Sequence, residues 1–261
     1  MPILKENKTL IALASLILLF SYLASLFLTS FGSVEVKSLR LDTQNGQYII
    51  YDLYKPKTAT KDSKAPFIAI IPGFQRSKEA LSNIAIELSR RGYVIALIDP
   101  YAQGLSSASL STRAATTEGY GMFALVEHIH SGAFEFVDTN KIGATGHSMG
   151  GNAAIRGADF FGKQATEKNI KSKLDSVYVS GYVLTLRNNI LRNSRSNMGV
   201  SYALYDEGAF RNELSGWDSA NMKIAPESLR VVNNILSTDQ QIEEVDSVSY
   251  THLRAHETRS Y

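Results

Sequence analysis

The first thirty or so residues carry a different pattern from everything that follows. No Asp, Glu, Lys or Arg occurs between Lys8 and Glu35, and Leu10 to Thr29 (LIALASLILLFSYLASLFLT) is apolar at 16 of 20 positions, the rest being Ser or Thr. At 1.5 Å per residue, twenty helical residues reach ~30 Å, the thickness of a bilayer's hydrocarbon core. A core helix of this length would show a polar face, and this segment has none. Lys5, Lys8 and the small-residue stretch Ser30-Phe31-Gly32 also suit a cleaved signal peptide. The apolar region of such a signal is about 7–15 residues, so the length favours an uncleaved, single-pass anchor. Lys5 and Lys8 on one side are matched by Lys37 and Arg40 on the other, so charge does not fix the orientation. The short N-terminal tail favours an inside N-terminus and an extracytoplasmic domain.

Beyond the anchor, strand-like and helix-like runs alternate. Gln47 to Tyr54 reads as a strand, and the polar Lys55 to Lys64 stretch as a solvated connection. Phe67 to Ile71 is a continuous apolar run closed by Pro72-Gly73, the pattern of a strand buried on both faces. Leu81, Ile84, Ala85 and Leu88 then follow helical spacing, with Ser77 as N-cap, Arg90 and Arg91 in the last turn and Gly92 as the stop. Tyr93 to Ile98 is a second buried strand, Met122, Leu125, Val126 and Ile129 mark a second helix, and Lys141 to Thr145 a third strand. Asn152 to Phe161 is Ala-rich and helical, Ser176 to Leu184 and Met198 to Tyr205 are strands, and Leu229, Val232 and Leu236 lie on a last helix. Such alternation predicts an α/β fold of parallel βαβ units with helices on both faces, and ligands at the carboxyl ends of the strands.

Composition narrows the function. With 261 residues, 44% hydrophobic and 20% charged, the chain suits one sizeable α/β domain plus a small element. Lys+Arg 27 against Asp+Glu 25 leaves a net charge of +2, too balanced for an electrostatic nucleic-acid binder. The absence of Cys excludes a disulfide scaffold, a thiol nucleophile and a cysteine-ligated zinc. Nothing in the sequence calls for a metal or another cofactor.

The string Gly146-His147-Ser148-Met149-Gly150-Gly151 satisfies G-x-S-x-G between a predicted strand and a predicted helix. The chain there turns too sharply for side chains at Gly146 and Gly150, and the strain exposes the Ser148 hydroxyl. In this context the sequence resembles the α/β-hydrolase family from about Gln47 to Leu236. Pro72-Gly73-Phe74 resembles the family's His-Gly-x oxyanion loop, with Pro72 in place of the His. Asp99 to Ser106 (DPYAQGLS) resembles the loop written D-x-R-G-x-G-x-S, lacking the Arg and one Gly. The resemblance implies an α/β-hydrolase fold and hydrolysis through an acyl-enzyme.

In that mechanism Ser148 attacks an acyl carbonyl, and the oxyanion is held by the N–H of Met149 and a second N–H, assigned to Phe74. His147, beside the nucleophile, is read as packing or elbow support rather than the base. The family order of Ser, acid, His points to Asp206, at the end of a predicted strand, with Glu207 as runner-up. Asp99 precedes Ser148 and is read as bracing its loop. Only His252 and His256 follow Asp206, in the stretch Ser249 to Arg259 (SYTHLRAHETR), which resembles the conceptual translation of a sequencing-library adapter. The expected organisation is therefore an anchor over 1–32, an incomplete, C-terminally truncated hydrolase domain over 33–247 and a non-native tail over 248–261. The catalytic His would be missing, leaving this chain itself inactive. His128 and His130 are read as surface or core residues within a helix. Arg187, Arg192 and Arg195 are read as a solvated face, anion attraction being the alternative, and nothing decides between pocket and core for Trp217.

The expected protein is a membrane-anchored serine hydrolase, esterase-like, acting on a small-molecule or lipid-like acyl substrate. A serine peptidase, an acyltransferase, or a non-catalytic binding domain of the same fold remain alternatives.

Overall fold

The computed structural model describes residues 2–182, 188–201 and 252–253. It opens with α1 (Pro2–Leu28), in which Asn7–Phe27 has a mean hydropathy of 2.4 and no buried position. Among the described residues this is the one helix long and apolar enough to cross a membrane. β1 (Val34–Asp42) follows after only five residues and pairs antiparallel with β2 (Tyr48–Pro56).

The α/β core then builds in chain order as β3 (Ala65–Ile71), α2 (Ser82–Arg90), β4 (Val94–Ile98), α3 (Ala114–Thr117), α4 (Met122–His130), β5 (Val137–His147) and α5 (Met149–Lys168). β6 (Ser176–Ser180), α6 (Asn188–Asn193), β7 (Asn197–Ser201) and the two-residue β8 (His252–Leu253) complete the described elements. The eight strands form one sheet in the order β1-β2-β4-β3-β5-β6-β7-β8. Pairs from β4 through β7 are parallel, and those of β1, β2 and β8 antiparallel.

The continuous apolar runs are explained by burial on both faces. Phe67, Ala69 and Ile71 of β3, with Val94, Ala96 and Ile98 of β4, face the core packed by α4 and α5. The intervening Ile68, Ile70, Ile95 and Leu97 face α2 and the turn before it, where Leu81, Ala85 and Leu88 cover them. Each fully buried Ile or Leu stabilises the fold by about 1.5–3 kcal/mol relative to exposure. β3 starts two residues before its predicted span, and Pro66 sits where the register with β5 shifts, a place that needs no ladder donor.

Ser77 does not cap a helix through its side chain. It precedes a 3₁₀ turn over Lys78–Leu81, and its hydroxyl hydrogen-bonds the Glu79 carboxylate instead. Arg195 donates to the carbonyls of Arg192 at 2.7 Å and Ser194 at 3.0 Å, so it closes the end of α6. The predicted helix around Leu229 lies outside the described residues, as do Arg187 and Trp217.

Candidate active site

β5 ends at His147 and α5 begins at Met149, leaving Ser148 alone in the turn with φ 54° and ψ −122°. A positive φ in a residue with a Cβ costs of order 1–3 kcal/mol and persists only where the surroundings impose it. Here they do. The Ser148 N–H donates to Ser180 O at the end of β6, at 2.9 Å, and the Ser148 carbonyl accepts the Asn152 N–H at 3.1 Å, starting the helix. Asn152 in turn donates from Nδ2 to Thr116 Oγ1 of α3 at 3.2 Å.

The two motif glycines allow the close passage of backbone. A Cβ at Gly146 would stand 2.3 Å from the Gly150 carbonyl group, and one at Gly150 would stand 2.0 Å from Ile71 O. The elbow is thus pressed directly against the end of β3. That contact brings in Gly73, whose Cβ position lies 3.3 Å from Ser148 Cβ and 3.8 Å from its Oγ. The turn after β3 and the turn after β5 therefore meet at the serine. Met149, the first residue of α5, carries one of the N–H groups that a helix leaves without an internal partner. Phe74 follows Gly73 in the facing loop, with its side chain exposed.

A second loop holds the first. Gln103 accepts the Gln75 N–H at Oε1 and donates from Nε2 to Gly73 O at 3.3 Å and to Arg76 O at 3.2 Å. Sequence reasoning missed Gln103, because its partners are about thirty residues away and only the closeness of two strand ends reveals them. Its neighbour Ala102 stands where the resembled loop has a Gly, at φ 61°. Asp99, almost fully buried, braces the same loop: Oδ1 accepts the Lys78 N–H at 2.8 Å and Oδ2 the Leu105 N–H at 3.1 Å. The Lys78 ammonium lies 3.5 Å from Asp99, 3.8 Å from Asp52 and 3.0 Å from Glu79, with only 7% of its side chain exposed. Burial alone would lower its pKa, but the hydrogen bond to Glu79 and the charges of Asp52 and Asp99 outweigh it and raise the value. Glu79, held by the Ser77 hydroxyl and by Lys78, falls to about 2. Gln75, Gln103 and their neighbours line an open groove of about 470 Å³ beside Phe74.

Among the described residues no histidine hydrogen-bonds the Ser148 hydroxyl. His147 is exposed, and its Nε2 lies 3.1 Å from the Cβ position of Gly181. His128 packs edge-on against Phe134, and His130 ends α4, both at the opposite end of the sheet. The His252 backbone pairs with Ser201 on β7. Asp206, Glu207 and His256 lie outside the described residues. No group of three or more His, Cys, Asp or Glu able to hold a metal occurs among the described residues.

Residues 23–173, more than half of the chain, match the model of the PET hydrolase-like family. Among solved structures, the chain is similar to DcsB in complex with its substrate analogue, at 24% identity and a TM-score of 0.45, over 57% of this chain and 47% of that one. It is also similar to a bacterial heroin esterase, at 18% identity and TM-score 0.45, over 62% and 49% of the two chains. A Pyrococcus furiosus esterase matches at 20% identity and TM-score 0.45, over 59% and 52%. The match spans about half the length of these structures. No curated protein matches.

Proposed function

The chain belongs to the PET hydrolase-like family and is an α/β-hydrolase, and from that premise we propose that it cleaves an ester-type acyl bond through an acyl-enzyme on Ser148. The observation that carries the proposal is the Ser148 backbone, held at φ 54° between β5 and α5 with Gly73 against its side chain. In this mechanism the Ser148 hydroxyl adds to the ester carbonyl while its proton passes to a histidine oriented by Asp206. The negative oxygen is received by the Met149 and Phe74 N–H groups, one from each of the two turns that meet at the serine. Collapse of the intermediate re-forms the carbonyl, breaks the bond from the acyl carbon to the alkoxy oxygen and releases the alcohol, which takes the proton from the histidine. Water then repeats the sequence on the acyl-enzyme and frees the acid.

Removing one oxyanion donor costs about 2.7–4 kcal/mol in comparable enzymes. Gly73, which places the Phe74 N–H, therefore matters more than the aromatic ring beside it. The apolar α1 serves in this reading as an uncleaved membrane anchor, with the hydrolase domain on the extracytoplasmic side.

The test is covalent labelling with a fluorophosphonate, which reports nucleophile reactivity without requiring turnover. In full-length protein with a working base, wild type should be labelled and Ser148→Ala should not. Equal labelling of the two would overturn the assignment.

A further inference from the structure

α1 is joined to the domain without slack. The five residues between Leu28 and Val34 are folded back on themselves: Phe31 N–H donates to Leu26 O, Ser33 N–H to Ser30 O at 3.1 Å, and Val34 N–H to Thr29 O at 3.2 Å. Lys57, at the end of β2, donates its N–H to Ser33 O at 2.9 Å. From α2, Arg90 Nη2 donates to Phe27 O at 2.5 Å, closing the last turn of α1 with a cation. Phe27 and Phe31 pack edge to face, with ring centroids 4.9 Å apart. The helix therefore enters the sheet in a defined place.

That place is far from the serine. Gly146 pairs with Ile71, and the β3–β4 register puts Ile71 level with Ile98. Ile98 pairs with Tyr51 and Tyr51 with Leu39. Leu39 is five residues along β1 from Val34, and Ser148 lies two residues beyond Gly146. At about 3.3 Å per residue, Ser148 stands roughly 20 Å from the level where α1 joins. The loop carrying Leu105 is at the serine's end too, since Ser107 N–H donates to Tyr48 O at the start of β2. Around the junction the sheet carries Lys55, Lys57, Arg90 and Arg91 against Glu35 and Glu87, and further along the same end Lys61 pairs with Glu135 and Lys141 with Asp138. Lys55 and Lys57 both act on the one carboxylate of Glu35, which Lys37 already pairs, so positive charge is in excess here and can meet lipid phosphates.

We propose that this basic end rests on phospholipid headgroups of the membrane holding α1, and that the catalytic mouth opens away from it, so Ser148 receives esters from the aqueous phase and not lipids of its own bilayer. The inference rests on the anchor and nucleophile readings given above. A chain whose α1 spanned the membrane but whose mouth faced it would need the opposite strand polarity at the junction.

The chain has no cysteine, so single thiols can be introduced at will. Lys57→Cys and Leu105→Cys, both at exposed positions, would each carry a fluorophore in the full chain. The protein is reconstituted in phosphatidylcholine and phosphatidylglycerol vesicles containing headgroup spin-labelled phosphatidylcholine as quencher. The probe at 57 should be quenched severalfold more strongly than the probe at 105. Equal quenching, or stronger quenching at 105, in protein that survives a carbonate wash would overturn the proposed orientation alone. Release by the wash would overturn the anchor reading and the orientation with it. In the same vesicles, with full-length protein that has a working base, a fluorophosphonate linked to dextran should label Ser148 and one displayed on a lipid should not; labelling from the lipid would overturn the inference.

Discussion

Gln103 Nε2 donates to the Gly73 carbonyl at 3.3 Å across 30 residues of chain, while the same side chain accepts the Gln75 N–H at Oε1. One amide thus fixes both flanks of Phe74, the residue assigned the second oxyanion donor. In protein with a working base, Gln103→Ala should lower kcat about tenfold or more, equivalent to at least ~1.4 kcal/mol of transition-state stabilisation, with little change in KM. Gln103→Glu keeps the acceptor for Gln75 but loses both donated bonds, and should recover only part of the rate. Steady-state kinetics on a short-chain p-nitrophenyl ester would check this. A rise in KM at constant kcat would mean that Gln103 shapes the groove and not the oxyanion loop.

Gly150→Ala sets two effects against each other. Alanine near a helix start gains about 1 kcal/mol of propensity. Its Cβ, however, would fall 2.0 Å from Ile71 O and 2.6 Å from Pro72 O, backbone atoms that cannot rotate aside. Overpacking of ordinary cores already costs about 1–3 kcal/mol, and this contact is tighter, so the variant should lose at least that much despite the propensity gain. A fall in the urea midpoint at unchanged slope is the expected result.

Lys78 links the end of β4 to the turn after β3. Lys78→Met would leave the buried carboxylate of Asp99, with the partly exposed Asp52 beside it, without its cation, at a cost of about 3–5 kcal/mol. The sign with pH follows from the two shifts. Lys78 is raised above 10.5, so its stabilisation is complete below that pH and is lost as pH climbs through the raised value. Glu79 is depressed from 4.5 to about 2, so its share is present above 4.5 and is lost as pH falls toward 2. The stability gap between wild type and Lys78→Met should be widest near neutrality and narrow at both extremes, as read from urea melts across pH.

Asp206 is assigned the acid from its position at the end of an apolar run, and it lies outside the described residues. In protein with a working base, Asp206→Asn should lower kcat by as much as about 10⁴-fold, because the histidine loses the partner that fixes its tautomer. Glu207→Gln should leave the rate close to wild type. The reverse ranking would move the acid to the neighbouring position.

The parts of the fold legible in the sequence are those where burial is complete. β3 and β4 are apolar at nearly every position because both faces are covered, and no other arrangement of a short strand produces that run. β1 escaped notice because it is an edge strand, Val34–Asp42, with mostly exposed positions and a Ser-Leu step that blurs its alternation. The Ser148 turn was legible because the two glycines of its motif are each required by backbone contact. Gln103 was not, since a polar residue in a loop carries no periodicity, and its role exists only once β3 and β4 end side by side. The bracing of the loop by Asp99 lay between these cases: the residue's place after a strand was visible, but its partners Lys78 and Leu105 were not.

The backbone of Ser148 has a consequence for how durable the protein is. Glycine populates φ of 54° with ψ of −122° without the steric cost that serine bears there. Relief of strain worth about 1–3 kcal/mol exceeds the 0.4–1 kcal/mol by which glycine's freedom favours the unfolded chain. Ser148→Gly should therefore be catalytically dead yet melt about 2–4 °C higher, as calorimetry would read for a gain near 1 kcal/mol in a domain of this size. If Ser148 is the nucleophile as proposed, the molecule would fold better without it, and the demand for reactivity at this one residue holds the protein below the heat tolerance that its sheet and helices could reach.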